Sequence, residues 1–112
     1  VFMKKVLMEK MMPNLTILYW RDIPSQVIVK TGRKAAKLQL SNRFQEAIDS
    51  AAMKSKAHEN DSYLSEWRRS QPISVQEPIE EEVHKATKNL EREYDEPRLA
   101  LLVSNGGYDK NL

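Results

Sequence analysis

The chain contains no cysteine. No disulfide can staple it, and no thiolate can ligate a metal or act as a nucleophile. That fits a reducing compartment, and the expected location is the cytoplasm. Glycine is scarce, three in 112 residues. Gly32, Gly106 and Gly107 can form neither a P-loop nor a dinucleotide fingerprint. The two histidines, His58 and His84, do not form an HExxH pair, and Glu81 and Glu82 before His84 read as a surface helix face, so no metal site is expected. There is no G-x-S-x-G element. The longest apolar run, residues 99–103, is far too short to cross a bilayer. Val6-Leu7-Met8 is cut off by Glu9 and Lys10 before it reaches the length of a secretory signal. Neither catalysis by this chain alone nor a bound cofactor is expected from such a residue set.

What is present is one small domain's worth of apolar residues, 40% of the chain, and an uneven charge distribution. The formal net charge is +2. Residues 1–57 hold eleven lysines and arginines against four acids, and residues 58–112 hold seven against twelve. Lys30, Arg33, Lys34, Lys37 and Arg43 follow one another with no intervening acid. Such a segment suits an anionic partner. It equally suits internal contact with the acidic half of the chain, or plain solvation.

The patterning begins after Met12. Residues 1–11, with Met3, Met8 and Met11, read as an extension outside the domain, either the product of an upstream start or a frayed helix. Residues 12–112 read as a single α+β domain: a small antiparallel sheet of two to four strands covered by three to four helices. Residues 15–20 and 26–30 are strand-forming runs joined by a polar break around Asp22-Ile23-Pro24-Ser25, with Pro24 expected outside the ladder. Thr31-Gly32 signals a turn, and residues 33–40 suit either a third short strand or the lead-in to a helix, with the strand the reading taken.

Ser41 is placed to cap a helix, and Phe44, Ala47, Ile48, Ala51 and Ala52 recur at helical spacing. A second short helix is expected over residues 63–69, with Tyr63, Leu64 and Trp67 on its inner face. Ile73-Ser74-Val75 alternates like an edge strand between Pro72 and Pro78. Ile79, Val83, Ala86, Leu90 and Tyr94 trace a third helix. Glu80, Glu81 and Glu82 stand in its first turn, where the helix dipole favours negative charge. Asp95-Glu96-Pro97 restarts a last helix that ends at Asn105-Gly106-Gly107.

Tyr19-Trp20-Arg21 and Trp67-Arg68-Arg69 place aromatics beside cations. That grouping suits base stacking with phosphate contact. It also suits core tryptophans with solvated arginines, and core is the reading taken for both. The candidate partner-binding residues are Arg21, Lys30, Arg33, Lys34, Lys37 and Arg43.

The segments Tyr19-Trp20-Arg21-Asp22-Ile23-Pro24, Gln26-Val27-Ile28-Val29, Gly32-Arg33, Ala36-Lys37, Arg43-Phe44 and Ala47-Ile48-Asp49 carry a resemblance. Ala51-Ala52-Met53, Trp67-Arg68, Tyr94-Asp95 and Arg98-Leu99 extend it. Together they resemble the small bacterial family described as a "virulence factor" domain, over nearly the whole chain after Met12. That description names a phenotype and brings no catalytic residue. The resemblance implies an accessory role beside folate-linked or corrinoid methyl-transfer proteins, near which such members are often encoded. The expected function is therefore that of a non-enzymatic interaction protein, a partner of a one-carbon enzyme. Its basic surface would hold an acidic protein or a phosphate or polyglutamate group. The second reading is a nucleic-acid-binding regulator, which the small net charge counts against.

Overall fold

A computed structural model describes residues 12–57 and 59–110. The expected extension over residues 1–11 and the histidine His58 lie outside them. The strands are β1 (Asn14–Trp20), β2 (Ile23–Thr31), β3 (Lys34–Gln39), β4 (Trp67–Arg69) and β5 (Ile73–Ser74). The helices among the described residues are α1 (Asn42–Lys54), α2 (Asn60–Ser65), α3 (Ile79–Glu93) and α4 (Glu96–Ser104). The α+β class is as expected, but the sheet has five strands rather than two to four. Its order is β3-β2-β1-β4, with β5 also pairing β1, and every pairing is antiparallel.

The β1–β2 connection is tighter than the sequence suggested. Trp20 pairs with Ile23, so only Arg21 and Asp22 make the turn. Two-residue hairpins need positive φ at the first turn position, and Arg21 adopts φ 54° there. Pro24 is not in the connection. It lies within β2, opposite Tyr19 and next to a bulge that leaves Ser25 unpaired, a position that tolerates a missing N–H. The Ser25 carbonyl accepts the Leu40 N–H at 2.9 Å and so ties the bulge to the end of β3. The β2–β3 turn is also two residues, with Gly32 at φ 57°.

The expected helix over residues 63–69 is only half present. α2 ends at Ser65, and Trp67–Arg69 join the sheet as β4 beside β1. Backbone groups on the open side of β1 offered a ladder, and Trp67 pairs with Trp20 there. Trp67 still reaches the aromatic cluster, at 5.9 Å from the Tyr63 ring, which lies 5.8 Å from Trp20. Leu64, expected on an inner face, is exposed.

One hydrophobic cluster unites sheet and helices. Leu15, Val27 and Val29 enter it from the sheet, Phe44, Ala47, Ile48, Ala51 and Ala52 from α1, Ile79, Val83 and Leu90 from α3, and Leu99 and Leu102 from α4. The helical stripes read from the sequence are thus the buried faces. Trp20 is fully buried, and its Nε1–H donates to the Tyr63 carbonyl at 2.9 Å, which satisfies the indole's one polar atom.

Ser41 precedes α1 as expected, yet its hydroxyl makes no cap bond to its own helix. Glu91 of α3 holds Ser41 itself. It accepts the Ser41 N–H at 2.7 Å and the Ser41 hydroxyl at 2.9 Å. α4 is capped locally, with the Asp95 carboxylate accepting the Arg98 N–H at 3.0 Å.

Candidate functional site

Strand alternation divides the basic segment. Paired residues share a face, so the register defines three rungs on the sheet face away from the core. They are Arg69–Leu18–Gln26–Gln39, Thr16–Ile28–Lys37 and Ser74–Asn14–Lys30–Ala35. None of these residues belongs to the hydrophobic cluster. Ile28 is buried at the centre, while Lys30, Lys37 and Arg69 are exposed. The three rungs carry three cations and no carboxylate. Arg33 stands exposed in the β2–β3 turn beside them. Lys34 points the other way, towards Glu77 and Glu80 at the start of α3. Lys30, Arg33, Lys34 and Lys37 form no ion pair with any described residue.

The other two candidates are committed to the interior. The Arg21 side chain is 10% exposed. Its guanidinium lies between the Trp20 and Tyr108 rings, at 4.8 and 4.6 Å from their centroids. It donates to the Gly106 carbonyl at 2.7 Å and to Ser55 Oγ at 3.0 Å, and pairs with Glu66 at 3.4 Å. Arg43 donates to the carbonyls of Glu91 and Tyr94 at the end of α3 and to Glu91 Oε1 at 3.1 Å. It thus neutralises the carbonyl end of that helix. Partial burial pushes the Glu91 carboxyl up, but the Ser41 N–H and hydroxyl together with Arg43 outweigh it and hold the carboxyl below its ordinary value. Arg21 and Arg43 therefore carry the internal contact between the basic and acidic halves, while the four cations of the β2–β3 hairpin do not.

A second feature was not legible in the sequence. Tyr19, Asp22, Arg68, Ser70, Tyr94 and Asp109 line a cleft of about 340 Å³. The Arg68 guanidinium covers the Tyr19 ring at 4.5 Å and Arg98 covers Tyr94 at 4.0 Å. Asp22 accepts Arg68 at 2.9 Å and the Asp109 N–H at 2.8 Å, and Asp109 faces Arg98 at 3.7 Å. Burial raises both tyrosine hydroxyls above an ordinary phenol, so each remains an O–H donor at neutral pH. The cleft has donors for a small polar group. Its cations are already matched by carboxylates, and no nucleophile with an adjacent base stands among the described lining residues. The one signal pointing to it is that Tyr19-Asp22, Trp67-Arg68 and Tyr94 with Arg98, all segments carrying the family resemblance, converge here. Their convergence required Trp67–Arg69 to be a strand beside β1. Among the described residues no group of three or more histidines, aspartates or glutamates is placed to hold a metal ion, and no helix is long and apolar enough to cross a membrane.

Fold and surface together define an α+β domain with one helix-covered sheet face and one carboxylate-free basic face. The chain belongs to the virulence factor family, whose model matches residues 18–103, from the second half of β1 to the last turn of α4. No curated protein and no solved structure matches it. The family match includes all six candidate cations and every residue named in the cleft except Asp109.

Proposed function

We propose that this chain is a non-enzymatic interaction protein that holds an acidic partner on the outer face of its sheet. The observation that carries this reading is the composition of that face: Lys30, Lys37 and Arg69 on three adjacent rungs, Arg33 at the neighbouring turn, and no carboxylate among them. A strand ladder fixes the backbone spacing of these cations in advance, so binding has only their side chains to order. The partner's chemistry is a run of carboxylates or phosphates. An acidic protein surface and the polyglutamate group of a folate cofactor both supply it. Nucleic acid fits less well. A single-strand binder stacks bases on exposed aromatics, and no aromatic stands on the three rungs.

The test uses the full chain, with polyglutamate and single-stranded DNA as probes at physiological salt. Lys30→Glu with Lys37→Glu should leave the circular dichroism and thermal midpoint unchanged, since both side chains are exposed and free of described ion pairs. Affinity for polyglutamate should fall about tenfold or more, mainly through slower association. Unchanged affinity would sink the reading. DNA bound more tightly than polyglutamate, with a steep salt dependence, would transfer it to the nucleic-acid class.

A further inference from the structure

The open edge of the sheet specifies how an acidic partner attaches. β3 pairs with β2 on one side, and among the described residues nothing pairs with it on the other. Among the described residues, no backbone hydrogen bond outside the β2–β3 ladder involves residues 34–39. The opposite margin of the sheet is different in kind. There β4 and β5 are three and two residues long, too short to template a further strand. β3 is a continuous six-residue edge.

The ladder determines which groups are free. Thr31 and Lys34 flank the two-residue turn, and in a hairpin this tight the flanking pair exchanges both backbone bonds. Alternation then commits Lys34, Ala36 and Leu38 to β2. Ala35, Lys37 and Gln39 turn their N–H and C=O groups towards the open side, and their side chains lie on the carboxylate-free outer face.

We propose that this edge takes an extended acidic segment of a partner protein as a sixth strand; the proposal rests on the basic-face reading above and names its geometry. On the outer side, the added strand's residues lie beside Lys37, with Lys30 one strand further in across the small Ala35, so acidic side chains fit there. On the inner side they meet Ala36 and Leu38, half-buried against the core, and the start of α3, where Glu77 and Glu80 oppose further acid. The fitting segment therefore alternates acidic with apolar residues. A second copy of this chain is the wrong occupant. Self-pairing of β3 would gather Lys30, Arg33 and Lys37 from each copy on the carboxylate-free side, and edge lysines act against such pairing.

The test again uses the full chain. The probe is an unstructured peptide of alternating glutamate and valine. Two versions carry N-methyl groups, on every glutamate nitrogen or on every valine nitrogen, at equal charge. A strand has two hydrogen-bonding edges, and each pattern silences one. The unmethylated peptide should bind and slow amide exchange at Ala35, Lys37 and Gln39. One methylated peptide should lose about tenfold or more in affinity and the other should hold, because each lost backbone bond weakens association several-fold. Equal affinity of both methylated peptides would overturn the edge proposal. The basic-face reading would then survive if Lys30→Glu with Lys37→Glu still weakened all three. No binding by the alternating peptide while polyglutamate binds would likewise remove the edge alone. Failure of both probes would remove both.

Discussion

Glu91→Ala tests how the fold joins its two charged halves. The wild-type carboxylate accepts two bonds from Ser41 at the start of α1 and a third from Arg43. Removing Glu91 takes the acceptor from the Ser41 N–H and hydroxyl at the head of α1. Both groups are exposed and can turn to water, so the loss is about 1 kcal/mol, within a range of roughly 0.5–1.5. The Arg43 ion pair is partly exposed, 26% and 30% for the two side chains, and adds only about 0.2–1 kcal/mol. The expected loss is therefore about 1–2.5 kcal/mol near neutral pH, with a fall in thermal midpoint of about 4 °C per kcal/mol. The pH dependence has a definite sign. The folded carboxyl is held below its ordinary value, so its contribution is complete above the unfolded value of about 4.3 and disappears as pH falls through the lower folded value. Urea unfolding followed by tryptophan fluorescence should show wild type and variant separated near neutrality and converging in acid. A loss below about 0.5 kcal/mol, the size of an ordinary surface substitution, would refute the anchoring role. A difference that persists undiminished in acid would refute its electrostatic origin.

Two further substitutions probe the packing. Phe44→Ala removes a ring that is 1% exposed and packed 6.2 Å from Tyr94, and should cost about 3–5 kcal/mol by chemical denaturation; a cost below about 1 kcal/mol would show that the α1 stripe is not the centre of the core. Gly107→Ala places a Cβ 3.1 Å from Trp20 Cζ3 at φ +94° and should cost about 1–3 kcal/mol in thermal unfolding. Wild-type stability in that variant would mean that the 105–108 turn does not bear on Trp20.

The sequence by itself determined whatever repeats along a short window. The 3.6-residue stripes of α1 and α3, the helix restart at Asp95-Glu96-Pro97, the strand-forming runs of β1 and β2, and the lack of P-loop, dinucleotide and G-x-S-x-G motifs are local properties, readable without knowing what lies opposite. The family was legible for the same reason, because its segments are contiguous.

Partnership between distant segments was decided only by the tertiary structure. Trp67–Arg69 became a strand because β1 presented an unpaired edge, a fact about residues some fifty positions earlier in the chain. Pro24 sits in the ladder because a bulge at Ser25 relieves it. Arg21 and Arg43 look like members of the basic surface in one dimension, yet each is aimed inward at the carbonyls ending a distant helix or turn. Charge and spacing cannot report that direction, because a side chain's partner is set by which backbone ends fold against it. The same rule split the hairpin cations. Lys34 went to the helix side and Lys30 and Lys37 to the open face, since one residue of register moves a side chain across the sheet.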